Sequence, residues 1–134
     1  MRKWIFVKAT GTLGHEGGAT FRAWSCEARN VVIAGASGIP PGTYTLGAPE
    51  WIAPEDKLND TSELSTRALG PCFIPIHGVP GQPDDGIHGG GSALEHPLAA
   101  RQGWAPTEDC IRVQNADLYH LALNASAGDA LDVV

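Results

Sequence analysis

Apolar residues in this chain come in short runs, each broken by charged residues or by turn formers. Trp4-Ile5-Phe6-Val7 lies between Lys3 and Lys8 and reads as a first strand. Thr20 to Ala28 is a second β-prone stretch, carrying Phe21, Ala23 and Trp24, with Gly17-Gly18 upstream as a natural hairpin turn. Val31 to Ala34 is a third, ending at Gly35. Pro40-Pro41-Gly42 turns the chain into Thr43-Tyr44-Thr45-Leu46. Gly47 to Gly70 mixes Pro, Asp, Asn, Ser and Thr and is expected to be an excursion or lid loop. Cys72 to His77 is another strand, with Pro75 pointing to an edge or a bulge. Ile87-His88 is a very short strand after the turn-rich Gly78 to Gly86. Gly89 to Pro106 reads as loop, with a helical turn expected near Leu94 to Arg101.

Helical spacing is clear in one place. Asn115 is expected to cap a helix with Asp117 in its first turn, and Leu118, Leu121 and Ala122 follow at i, i+3 and i+4. Gly128-Asp129 then turns the chain into a closing strand, Ala130 to Val134. The pattern predicts a mainly β sandwich or barrel with one short C-terminal helix, forming one domain over residues 1–134.

Composition supports this. An apolar fraction of 43% and a charged fraction of 18% are ordinary for a packed domain, while Gly 17 and Pro 10 favour short strands and irregular loops. The net charge of −6, without a Lys/Arg cluster, argues against nucleic acid as a partner. No apolar run is long enough to span a membrane. Arg2-Lys3 before an apolar run imitates a secretory leader, but Lys8 ends that run too early for an h-region. The expectation is synthesis in the cytoplasm without a signal peptide, so action outside it would need another delivery route.

Cys26, Cys72 and Cys110 have no CxxC spacing, which disfavours a thiolate zinc cluster. Cys26 and Cys72 lie in apolar strand-like stretches and read as buried small residues; a Cys26–Cys72 disulfide is the alternative in an oxidising compartment. Cys110 differs. It follows Thr107-Glu108-Asp109 and opens Ile111-Arg112-Val113, at a loop-to-strand junction where a thiol is accessible. A nucleophilic thiol needs a base, and His88, followed by Gly89-Gly90-Gly91, is the best placed. Taken alone the pair is weak, because five histidines make a chance pairing easy and a lone Cys is usually core.

The surrounding motifs add weight. Ile87-His88-Gly89, then Thr107 to Val113, then Asn115-x-Asp117-x-x-x-Leu121 resemble the signature of the YkuD-type L,D-transpeptidase catalytic domain. Pro40 to Tyr44 is similar to that family's upstream strand, and Gly128 to Val134 to its final one, so the resemblance runs in order over nearly the whole chain. It implies an L,D-transpeptidase-like β fold with Cys110 as nucleophile and His88 as base. It also implies a thioester formed on peptidoglycan stem peptides with release of D-alanine. The thioester is then resolved by an amine (transpeptidase) or by water (carboxypeptidase). No metal or other cofactor is implied. Backbone N–H groups near Asp109 and Cys110 would hold the oxyanion, and either a backbone carbonyl or a side chain would orient His88.

Thr107 matches the family's Ser/Thr three positions before the nucleophile. Asp109 and Glu108 depart from the usual Gly and His, and the interval from His88 to Cys110 is longer than usual, which marks a divergent branch. Asp109 is expected to point away from the sulfur, toward Arg101 or Arg112. Arg112 reads mainly as a tie for the site loop, with recognition of a substrate carboxylate as its second reading. His77 and Trp104 are candidate lining residues, each with a packing role as the alternative.

Three settings follow. One is a secreted antibacterial effector acting in the periplasm or wall of a target cell, with a cognate immunity protein or a secretion-system component as partner. A second is a wall-binding or phage-structural β domain that has lost catalysis. The third is a metalloenzyme using His77, His88 and His96.

Overall fold

The computed structural model describes residues 1–17, 20–25, 38–52, 64–105, 107 and 109–134. The elements run β1 (Lys3–Val7), β2 (Thr12–His15), β3 (Thr20–Ser25), β4 (Gly42–Leu46), β5 (Glu50–Trp51) and α1 (Leu64–Leu69). They continue with β6 (Cys72–His77), β7 (Gly86–His88), β8 (Ile111–Val113), α2 (Asn115–Asn124) and β9 (Ala130–Val133). The protein is mainly β, as its patterning predicts. The expected Val31–Ala34 strand, Cys26 and the end of the Thr20–Ala28 stretch lie outside the described residues.

The strands form one sheet in the order β4-β9-β1-β2-β3-β8-β7-β6-β5, and β4 also pairs with β6, so the sheet curls back toward its own start. β3 carries the curl, pairing with β2 through Thr20–Arg22 and with β8 through Ala23–Ser25. β9 lies parallel to β1 and antiparallel to β4, which ties the end of the chain to its beginning.

Alternation along these strands fills the interior with Trp4 and Phe6, Tyr44 and Leu46, Ile74 and Ile76, and Leu131 and Val133. Ile87, Ile111 and Val113 continue the same core under β7 and β8. Helix α2 adds Leu118 and Leu121, both essentially without solvent exposure, and packs against β6. Burying a side chain of that size stabilises by about 1.5–3 kcal/mol.

Asp129 closes the corner between α2 and β9. Its carboxylate accepts hydrogen bonds from the Trp4 indole at 3.0 Å, from Arg2 N–H at 3.1 Å and from Ser126 N–H at 3.0 Å. Burial opposes the charge, but these donors win and hold the carboxyl below its ordinary range.

Several expectations change. β2 is an additional strand: Leu13 is buried there opposite Phe6, a partnership set by tertiary pairing that a short Gly-containing segment does not advertise. The Gly47–Gly70 excursion contains β5 and the short helix α1, while residues 53–63 lie outside the described set. Leu94–Arg101 forms turns and bends without a helix. Pro75 is neither on an edge nor disruptive. It falls where the partner of β6 changes from β5, opposite Cys72 and Phe73, to β4, opposite Ile76 and His77. A missing N–H costs least in that gap.

Candidate active site

The site is built on two short parallel strands. β7 and β8 align Ile87 with Ile111 and His88 with Arg112. The two isoleucines face the core, so alternation sends His88 and Arg112 to the opposite face. Gly86 lies two residues before His88, and Cys110 two before Arg112. The same register therefore sets the cysteine beside Gly86, whose N–H donates to the sulfur. The thiol itself is directed at the Asp84 carbonyl, 3.9 Å away. No hydrogen bond joins Cys110 to His88 among the described residues.

His88 is almost fully buried. Its Nδ1 lies 2.8 Å from the Gly89 carbonyl, which can only accept, so Nδ1 carries the proton and Nε2 is left as the basic nitrogen. Of the two kinds of orienting group expected, it is the backbone carbonyl that holds the ring. Burial, with Arg112⁺ as a second cause, lowers the imidazole pKa to about 4 despite the Gly89 bond, so the ring is neutral across physiological pH.

The contacts of Arg112 suit a tie for the site loop. Its guanidinium donates to the carbonyls of Gly89 at 3.2 Å, Ala105 at 2.6 Å and Ala68 at 3.2 Å, and so ties helix α1 to the two loops that carry Gly89 and Ala105. The Gly89 carbonyl thus receives both His88 and Arg112. Gly89 cannot carry a side chain, because a Cβ there would overlap the Asn115 amide.

Asn115 is itself a correction. Gln114 occupies the N-cap position without a side-chain cap bond. Asn115, the first helical residue, uses its amide to accept from Gly90 N–H at 3.0 Å and to donate to the Pro97 and Ala99 carbonyls, both at 2.8 Å. Gln102 bridges the same loop to the Val113 carbonyl at 3.0 Å and to Asn115 N–H at 2.8 Å. The glycine run is therefore sewn down on both sides, which keeps the His88 backbone rigid.

The surroundings of the thiol are acidic. Burial raises the Cys110 pKa first, and the charges of Asp85 and Asp109 raise it further, against the Gly86 N–H and Arg112. Asp109, half-buried next to Cys110 in the chain, adds one of these opposing charges. Of the two arginines expected to draw Asp109, Arg101 is paired with Asp117 at 2.8 Å. Asp85 is buried, its Oδ2 has no partner among the described residues, and burial together with Asp109 and Asp84 lifts its carboxyl to about 6.

The other candidates fall at different distances from the centre. Phe73 pairs with His88 across β6 and β7, and its ring stacks on the imidazole at 6.1 Å between centroids. That ring also lies over Gly86, where any Cβ would strike it. His77 is exposed at the far end of β6, opposite Thr45, and lies outside this cluster. Thr107 and Trp104 are half-buried in the preceding loop, and no hydrogen bond from Thr107 to His88 is present among the described residues. His96 is exposed beside Glu95, so His77, His88 and His96 do not converge. Among the described residues no group of three or more His, Cys, Asp or Glu is arranged to hold a metal ion. Cys72 is a buried free thiol whose pKa burial pushes up to about 11, which suits a packing role; Cys26 lies outside the described residues.

The sequence did not single out Phe73 or Asp85: the β6–β7 register sets Phe73 against His88, and Asp85 directly precedes Gly86.

No protein-family model and no curated protein matches the sequence. Solved structures do match in shape. An L,D-transpeptidase (Yku) from Stackebrandtia nassauensis superposes with a TM-score of 0.59 at 16% identity, over 99% of this chain and 55% of that one. An L,D-transpeptidase from Mycobacterium smegmatis gives 0.59 at 15% identity, over 99% of this chain and 58% of that one. Bd1075 of Bdellovibrio bacteriovorus gives 0.62 at 11% identity, over 99% of this chain and 47% of that one. The chain thus spans about half the length of these neighbours. At these identities the likeness speaks for architecture: the protein has the L,D-transpeptidase fold.

Proposed function

We propose that the protein is a cysteine-dependent acyl transferase acting on peptidoglycan stem peptides, as an L,D-transpeptidase or L,D-carboxypeptidase. The observation that carries this reading is that Cys110 directly precedes β8 while a tautomer-fixed His88 ends the adjacent parallel β7, in an L,D-transpeptidase fold. In the resting site both groups are neutral. His88 Nε2 would take the thiol proton as the sulfur attacks the carbonyl, rather than holding a preformed ion pair. D-Alanine leaves, and an amine or water resolves the thioester. A peptidoglycan substrate places this work in the periplasm or cell wall. Delivery to a rival cell, with an immunity protein as partner, is a further step of the same reading. The test is mass spectrometry of stem peptides incubated with the protein and with Cys110→Ala. D-Alanine release or exchange is expected from the first and none from the second. Release that persists in the variant would sink the nucleophile assignment.

One observation favours a second reading, a wall-binding or phage-structural domain without catalysis. The thiol is bonded toward Asp84 and flanked by Asp85 and Asp109, which disfavour the thiolate. Stem-peptide binding without any thioester on Cys110 would select that reading.

A further inference from the structure

Gly86 opens β7 without a backbone reason to be glycine, since it is not among the glycines with positive φ. Its missing side chain provides room: a Cβ there would overlap Cζ and both Cε atoms of the Phe73 ring. Along β6, alternation sends Cys72, Ile74 and Ile76 into the core and leaves Phe73 half-buried on the other face. Phe73 lies directly opposite His88 across β6 and β7, and Arg112 lies directly opposite His88 across β7 and β8. Directly paired residues share one face of a sheet, so the imidazole stands in a row between an aromatic ring and a guanidinium. The two rings are nearly parallel, 20° apart with 6.1 Å between centroids, within the range of offset stacking. The far edge of the Phe73 ring extends over Gly86, two residues before His88 on the same face.

The bond from Nδ1 to the Gly89 carbonyl fixes which nitrogen of His88 carries the proton. Its acceptor belongs to the next residue in the chain, and the second side-chain torsion of histidine is broad and roughly two-fold. A half-turn about that torsion would take Nδ1 off Gly89 and turn Nε2 from its place. A flat ring lying along the imidazole opposes the turn.

We infer that Phe73 is the positioning residue of His88, clamping the imidazole in the orientation in which Nδ1–H meets Gly89 and Nε2 stays the basic nitrogen, and that residue 86 is glycine to admit this ring. Phe73 acts through the histidine and handles no proton itself. As a statement about catalysis this rests on the acyl-transfer reading. As a statement about the histidine ring it is tested without turnover.

The first readout is the tautomer of His88, taken from nitrogen–proton correlation NMR of the intact protein labelled with nitrogen-15 at histidine, near neutral pH. The His88 signals are identified by their loss in His88→Ala. The unaltered protein is expected to show a single tautomer with the proton on Nδ1. Phe73→Leu keeps apolar bulk but loses the flat face, and should give the averaged shifts of two exchanging tautomers. Gly86→Ala displaces the ring without altering Phe73 and should do the same. In the Phe73→Leu background Gly86→Ala should add little, because the ring edge it displaces is gone. A single tautomer retained in Phe73→Leu overturns the clamp, and one retained only in Gly86→Ala overturns the account of that glycine. Should Phe73→Leu not fold, Gly86→Ala decides both.

The second readout is single-turnover thioester formation on stem peptides. Phe73→Leu should lower the maximal rate about tenfold and leave the peptide concentration for half-maximal rate little changed. An unchanged rate, or a change confined to that concentration, overturns the positioning role in catalysis. Absence of any thioester in the unaltered protein sinks the acyl-transfer reading, while the tautomer still judges the clamp.

Discussion

Two buried carboxylates, Asp129 just before β9 and Asp85 just before β7, show what satisfaction by hydrogen bonds decides. Asp129 accepts from Trp4, Arg2 and Ser126, and its carboxyl is held below the ordinary range. Asp85 is also buried, but its Oδ2 has no donor among the described residues, and its carboxyl is pushed up to about 6. The first is an anchor that joins the two ends of the chain. The second is a carboxyl whose ionisation burial and the neighbouring Asp109 and Asp84 oppose. Burial alone does not separate a structural group from a reactive one; the count of its partners does.

The largest expected effect lies at the reactive end. If His88 is the base, His88→Ala should slow thioester formation by about 10²–10⁴-fold. The measurement is single-turnover mass spectrometry with stem peptide. Folding should be checked alongside, because His88 is buried against Phe73. An unchanged rate would break the comparison by removing catalysis from this corner. Labelling adds a sharper test. The raised thiol pKa predicts that reaction of Cys110 with iodoacetamide climbs with pH beyond the range of an ordinary cysteine. A plateau near neutral pH would mean that a preformed thiolate exists.

At the anchor, the effect should be on stability. Asp129→Ala leaves the buried Trp4 N–H and two backbone N–H groups without their acceptor, which should cost about 2–4 kcal/mol in urea unfolding. The pH dependence has a definite sign. A folded pKa below the unfolded value gives stability that is present above the unfolded value of 3.8 and lost as pH falls through the folded one. Asp129→Asn should therefore weaken the fold at neutral pH and flatten its acid limb. An unfolding midpoint that does not move would show that the three hydrogen bonds add nothing net.

How much of this was legible in the sequence follows the same division. Strands such as β1, β4 and β6 could be read because they are bounded by charges or Pro-Gly turns, and α2 because Leu118 and Leu121 keep helical spacing. Cys110 and His88 are singled out by their flanking motifs, and the β7–β8 register sets the strands that follow and carry them side by side. β2 could not, since Leu13 acquires its role only from Phe6 on the neighbouring strand. Asn115 was noticed for the right segment and the wrong job: its residue type suits a cap, but the glycine loop packed above it offers better partners. Asp85 looked like one more turn residue. Its character comes from lacking a partner, and a sequence does not display that.

The smallest effect is the one that tests this last point most directly. For Asp85 the linkage runs opposite to that for Asp129. A carboxyl whose folded pKa, about 6, lies above its unfolded value of 3.8 binds more protons in the folded state between those limits. Stability attributable to it is present at low pH and is lost as pH rises through about 6. Asp85→Asn removes the charge while nearly keeping the shape. It should raise stability at pH 7–8 by about 1 kcal/mol and leave it little changed near pH 4. The same substitution should speed iodoacetamide labelling of Cys110, because one of the charges opposing the thiolate is gone. Urea unfolding at the two pH values and labelling at one of them suffice. A variant destabilised at neutral pH would mean that Asp85 already has a partner inside the folded chain, which would remove the contrast with Asp129.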